Sequence, residues 1–119
     1  MYAVYRCGGY FTGDNGTITS SNYPDSYDSS SQCIYTIETQ SGASIQLDWI
    51  DFNVEGSANR CYDRVEVFDG SINGNQLLNS TCGNQLPSRI VSTTSVMIVA
   101  FYSDLSINYK GFKANYKTI

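Results

Sequence analysis

The stretch IQLDWIDFNVEG (45–56) decides the fold class. Ile45, Leu47 and Trp49 alternate with Ser44, Gln46 and Asp48. A period of two is the pattern of a strand with one buried face, and no helix presents it. The parity then flips to Ile50, Phe52 and Val54. One extra residue near Trp49-Ile50, a β-bulge, accounts for the flip and keeps Ile50, Phe52 and Val54 on the apolar side. The strand ends on an acid, Glu55, followed by Gly56.

The same period recurs outward from this segment. Val65 and Val67 alternate with Arg64 and Glu66, and Phe112, Ala114 and Tyr116 with Lys113, Asn115 and Lys117. SVMIVAFY (95–102) is apolar at nearly every position, which predicts a central strand buried on both faces. Turn-rich clusters separate the runs: GDNG (13–16), SSNYPDSYDSSS (20–31), QSGAS (40–44), EGSANR (55–60), DGSINGN (69–75), CGNQLPS (82–88) and SDLSINYKG (103–111). Many short strands between such clusters read as an all-β sandwich or barrel. A chain of 119 residues makes one domain (1–119) with one core.

Composition narrows the function. Charged residues are 15% and the net charge is −4, with only 7 Lys and Arg, so no basic stripe serves nucleic acid. An acidic balance favours cationic partners. No histidine is present. That removes imidazole-based zinc or copper sites and any Ser–His or Cys–His nucleophile pair. Enzymatic activity is not expected. Cys7, Cys33, Cys61 and Cys82 contain no CxxC pair, so two disulfides and a secreted, extracellular setting are the reading. Three pairings are possible, and short-range closure favours Cys7–Cys33 with Cys61–Cys82. Asn15-Gly16-Thr17 and Asn79-Ser80-Thr81 are N-glycosylation sequons. MYAVYRC (1–7) has no long apolar run and does not read as a signal peptide; Met1 is expected to stand where a leader or an upstream domain ended.

Three acids fall at the edges of strand-like runs: Glu55 in FNVEG, Asp63 in CYDRVEVFDG and Asp104 in FYSDLSINYKGF. If their strands pack together, the carboxylates converge, and a loose set of oxygens suits Ca2+. Without a cation such acids repel and raise one another's pKa. The plainer alternative is that Glu55 and Asp104 are solvated and Asp63 caps a turn. Asp69-Gly70 reads as a turn, Asp48 and Asp51 as a solvated strand face, and Asp25 and Asp28 as loop acids.

The ordered motifs carry a resemblance. CGG (7–9), GTITSSNYPDSY (16–27), CIYTI (33–37), IQLDWIDFNVE (45–55), CYDRVEVFDG (61–70), TCG (81–83), FYSD (101–104) and GFKANY (111–116) together resemble a CUB domain over about residues 7–116. The resemblance implies a jelly-roll-like CUB-type β-sandwich of two antiparallel sheets and the sequential disulfide pairing. This chain has Tyr35 where the family often has Trp, Trp49 where Phe is usual, and Ser21 where Pro is common. In the calcium-binding members the positions matching Glu55, Asp63 and Asp104 hold the ion. Backbone carbonyls near Ser106 and Ile107 add oxygens, and the tyrosine matching Tyr27 hydrogen-bonds the acids. Those members often have Asn where this chain has Ile107, with Asn108 one residue later, which implies a weaker site.

The resemblance also implies a partner. In partner-binding members the positions matching Glu55, Asp104 and Ser106 grip a Lys or Arg side chain of another protein, as in cell adhesion and other protein–protein interactions. Three ammonium donors match two carboxylates and a hydroxyl. One such contact contributes roughly 1.5–3 kcal/mol, so useful affinity needs several copies. A second expectation is lectin-like carbohydrate binding through exposed tyrosines among Tyr10, Tyr23, Tyr62, Tyr102, Tyr109 and Tyr116. A third is a structural spacer within a larger secreted protein. No segment is apolar enough to insert in a membrane.

Overall fold

A computed structural model describes residues 7–57, 59–70, 76–105 and 107–119. Its strands are β1 (Gly9–Thr12), β2 (Asn15–Thr19), β3 (Gln32–Glu38), β4 (Ile45–Asn53), β5 (Gly56–Ser57), β6 (Arg60–Cys61), β7 (Arg64–Asp69), β8 (Gln76–Thr81), β9 (Ile90–Val91), β10 (Val96–Tyr102) and β11 (Gly111–Thr118). Two sheets face each other, ordered β1-β3-β10-β7-β8 and β2-β11-β4-β9, and β5-β6 form a small separate ribbon. Every pair within the sheets is antiparallel except β1 with β3, where Gly9 lies opposite Tyr35 in a parallel register. The fold is an all-β sandwich, as its alternating runs predict.

The core lies between the sheets, and alternation dictates what enters it. Ile18, Leu47, Trp49, Phe112, Ala114 and Tyr116 come from one sheet; Tyr35, Ile37, Val65, Val67, Met97, Val99 and Phe101 come from the other. Each fully buried apolar side chain of this size stabilises by roughly 1.5–3 kcal/mol. Phe112 is the hub of an aromatic cluster, edge-on to Trp49, Tyr35 and Phe101 at 5.6–5.9 Å between ring centres. Tyr35 satisfies its hydroxyl by donating to the Thr19 carbonyl at 2.6 Å. The Trp49 indole Nε1 is buried without a partner among the described residues.

β10 is central and buried along its length between β3 and β7, as expected. The bulge is where the parity flip demands it. Lys113 pairs with Asp51 and Ala114 with Trp49, so Ile50 is the extra residue on β4. Its side chain does not join Phe52 and Val54 in the core, as the alternation implied. It is 48% exposed, because a bulged residue stands outside the pairing and is free to turn outward. In the GDNG cluster only Gly13 and Asp14 lie outside strands; Asn15 and Gly16 already belong to β2.

The disulfides are Cys7–Cys33 and Cys61–Cys82. The second fastens the β5-β6 ribbon beside the end of β8. Closing loops of 26 and 21 residues constrains the unfolded chain by roughly 3 kcal/mol each.

Candidate metal centre

One end of the sandwich gathers the three predicted acids. Glu55 follows β4, Asp63 lies between β6 and β7, and Asp104 follows β10. Glu55 and Asp104 mark where strands leave the core, and Asp63 where β7 enters it. One carboxylate oxygen from each lies within 4.8 Å of the others. Glu55 and Asp63 are buried and Asp104 is half-buried.

Backbone bonds hold these positions. Val54 exchanges two hydrogen bonds with Gly83 at 2.8 and 2.7 Å, and the Asp63 N–H donates to the Glu55 carbonyl at 3.0 Å. Gly56 permits the close approach of the ribbon: at φ 145° a Cβ would lie 2.5 Å from the Cys82 sulfur. The loop carrying Tyr27 is tied to the loop carrying Asp104. The Tyr27 N–H donates to the Tyr109 carbonyl at 3.0 Å and the Ser30 N–H to the Asp104 carbonyl at 2.7 Å.

Asp63 is the hub, a role that its place in a turn did not signal. It is fully buried. Its Oδ1 accepts the Asp104 N–H at 2.8 Å and its Oδ2 accepts the Tyr27 hydroxyl at 2.5 Å. The same Tyr27 hydroxyl accepts the Glu55 N–H at 3.1 Å, so one phenol links two of the acids. Its ring is buried edge-on against Phe101 at 4.8 Å. Glu55 Oε1 is buried and has no hydrogen-bond partner among the described residues.

The charges strain against this packing. Burial raises the Glu55 pKa, and Asp104 and Asp63 raise it further. Burial also raises that of Asp63, against the lowering by Tyr27 and the Asp104 N–H. Nearby cations are engaged elsewhere: Lys110 with Asp51 at 2.5 Å and Arg64 with Glu66 at 3.4 Å.

The residues fit calcium. Ca2+ bonds to oxygens at about 2.3–2.6 Å, so oxygens sharing one ion lie no more than roughly 5 Å apart. The three carboxylates meet that limit, all donors are hard oxygens, and the unpartnered Glu55 Oε1 gains a ligand role. Ile107 is 60% exposed with φ 38°, a left-handed backbone that a β-branched residue rarely adopts. Asn108 donates from Nδ2 to Ser29 Oγ at 2.8 Å. Ser106 lies outside the described residues.

Other predicted residues have separate roles. Asp69 ends β7, but it is buried and accepts four hydrogen bonds from Thr93 and Thr94 at 2.6–3.1 Å, pinning the loop before β10. Nothing local in DG signals this; the donors are 24 residues away. Asp48 pairs with Arg89 at 2.6 Å, and Asp51 accepts the Tyr23 hydroxyl at 2.7 Å. Asp28 accepts from Asn22 Nδ2 at 2.8 Å. The candidate tyrosines differ in their surroundings. Tyr116 is buried, Tyr10 is bonded to Glu38, and Arg60 and Arg64 lie over the Tyr62 and Tyr102 rings. Tyr109 is 41% exposed.

The fold and site define a two-sheet β-sandwich stapled by two disulfides, with three acids gathered at one end. The chain belongs to the CUB domain family, whose model matches residues 7–116. It is 39% identical to human "Tolloid-like protein 1" over 104 residues, 87% of this chain and 10% of that protein. It superposes on the "full extracellular region of zebrafish Gpr126/Adgrg6" with a TM-score of 0.84 and 34% identity, covering 95% of this chain and 15% of that one. It superposes on the "MASP-1 CUB2 domain bound to Ca2+" with a TM-score of 0.83 and 32% identity, covering 93% of this chain and 98% of that one. The chain spans no more than a fifth of the length of the protein relatives it matches. CUB domains mediate protein–protein interaction. Among the described residues no helix is long and apolar enough to cross a membrane.

Proposed function

We propose that this chain is an extracellular binding module ordered by calcium. Glu55, Asp63 and Asp104 would hold the ion, with backbone carbonyls near Ser106 and Ile107 completing the oxygen set. The observation that carries the reading is the convergence of three carboxylates within 4.8 Å, one of them with a buried, unpartnered oxygen. When bound, calcium neutralises these carboxylates and keeps them ionised. Tyr27 holds Asp63 and the Glu55 backbone in place. Glu55 and Asp104, with Ser106, then face a Lys or Arg side chain of a partner protein. Support also comes from the MASP-1 CUB2 domain, solved bound to Ca2+ and 32% identical to this chain.

The test is calorimetric titration with Ca2+, with Asp104→Ala as control. Saturable binding in the parent and its loss in the variant support the site. Absence of binding at millimolar calcium removes it. Partner gripping has its own readout. Capture of lysine-bearing surfaces should disappear in EDTA and weaken steeply with salt, since exposed charge pairs are screened within about 8–10 Å.

A further inference from the structure

The outward face of the four-stranded sheet is largely polar, with Ile50 and Val91 its exposed apolar residues. Alternation turns Ile18, Leu47 and Tyr116 inward and sends their neighbours out. The register aligns these across the strands. Thr17 lies opposite Asn115, which lies opposite Asp48. Asn15 lies opposite Lys117, then Gln46. Arg89 closes the far side, with Nε bonded to Asp48 Oδ1 at 2.6 Å. The rows enclose a shallow groove of about 430 Å³ that Asn15, Gln46, Asp48, Arg89, Asn115 and Lys117 help to line. Amides, a carboxylate, an ammonium and a guanidinium on a flat sheet match the hydroxyls and acetamido groups of a saccharide.

The sequon Asn15-Gly16-Thr17 forms the rim of this groove. It lies on the edge strand β2, with Asn15 exposed on the outward face. Gly16 is set by the fold: a Cβ there would lie 2.5–2.6 Å from the hydroxyl and ring atoms of Tyr116. The other sequon is placed differently. Asn79 pairs directly with Val67, which is fully buried, so its side chain shares the inner face of the sheet. It is only partly exposed.

We propose that Asn15 carries an N-linked glycan whose stem lies along this groove, and that a glycan on Asn79 does not fit the folded sandwich. In the secretory pathway Asn15 Nδ2 bonds to the anomeric carbon of a lipid-pyrophosphate-linked oligosaccharide. The bond from that carbon to the pyrophosphate oxygen breaks, the lipid pyrophosphate leaves, and the amide loses one proton. From β2 to the side chains beyond β4 is about three strand spacings, roughly 14 Å. The two N-acetylglucosamines and first mannose of such a glycan cover that span. Lys117 and Asn115 lie beneath its first sugars, and Asp48 and Arg89 beneath the third. The inference is independent of calcium.

The test is to secrete the chain from a eukaryotic cell and map both sequons by glycopeptide mass spectrometry. Asn15 should be occupied and Asn79 empty. Lysine acylation of the folded protein should then be several-fold faster at Lys117 after enzymatic removal of the glycan, with Lys110 as the unchanged reference. Asn15→Gln should reproduce the faster labelling, and Thr17→Ser, which keeps the sequon, should not. Enzymatic removal keeps the test open if the variant is poorly secreted. The proposal falls if Asn15 is unmodified, if Asn79 is modified in folded protein, or if Lys117 labelling ignores the glycan. It falls equally if Asn15-bearing groove residues of the secreted protein instead take up free oligosaccharide.

Discussion

Replacing Tyr27 by Phe isolates the bond that organises the acidic end. The ring is buried against Phe101, and Phe fills the same space, so packing is preserved. What is lost is the hydroxyl, which donates to Asp63 Oδ2 at 2.5 Å and accepts the Glu55 N–H at 3.1 Å. A hydrogen bond to a charged group contributes about 1.5–3 kcal/mol and a neutral one about 0.5–1.5. The variant should therefore lose about 2–4 kcal/mol in calcium. Partners that orient metal ligands also tune affinity, and their loss typically weakens binding by roughly 10–100-fold. Urea unfolding with calcium and with EDTA measures the first effect and calorimetric titration the second. Tyr35→Phe is the control. It removes one bond to the Thr19 carbonyl, so stability should fall by about 1 kcal/mol with calcium affinity unchanged. If Tyr27→Phe behaves like Tyr35→Phe, Tyr27 only fills the core and the reasoning fails.

Three other predictions concern the same molecule. In EDTA, stability should fall as pH rises above the ordinary carboxylate range: the folded-state pKa values of Glu55 and Asp63 lie above their unfolded values, so the folded state binds more protons there. Asp69 acts in the opposite sense. Burial works to raise its pKa, but the Thr93 and Thr94 donors prevail and lower it, so its contribution is lost as pH falls below that range. Urea midpoints across pH should peak under mildly acidic conditions in EDTA, and the decline toward neutrality should vanish in calcium. Ile107→Asn should relieve a left-handed β-branched residue by about 1 kcal/mol in EDTA and tighten calcium binding; a stability loss in urea melts would count against strain at φ 38°. Trp49→Phe should change stability by less than about 1 kcal/mol, because the smaller ring leaves a void while the orphaned indole N–H disappears; a loss like that of an ordinary core truncation in thermal melts would argue that Nε1 has a partner.

The parts legible in the chain were those governed by local periodicity. Alternation marked β4, β7 and β11, the unbroken apolar run marked β10 as central, and the parity flip located the bulge. The three acids could be named because each stands at the start or end of a strand, and strand ends of a sandwich collect at its edges. What stayed hidden depends on residues distant in sequence. Ile50 turns outward because the bulge frees it from pairing, which a hydrophobicity pattern cannot register. The parallel pairing of β1 depends on which edge of β3 is vacant. Asp69 looked like a turn residue because its four donors come from Thr93 and Thr94. The two sequons looked alike until the register put Asn15 on the outer face of its sheet and Asn79 on the inner face of the other.

The strand order has a consequence for biogenesis. β10 lies in the middle of one sheet and β11 between β2 and β4 in the other, yet they are the last two strands in chain order. During synthesis β3 and β7 emerge without the strand that joins them, and so do β2 and β4. Neither layer can close until residues 96–118 have left the ribosome. All four cysteines precede that point. Oxidation can thus begin on a chain whose sheets do not yet exist, and native pairing depends on exchange continuing until the two final strands arrive. A nascent chain cut between residues 83 and 95 retains both disulfide pairs and both sequons but has no centre to fold around.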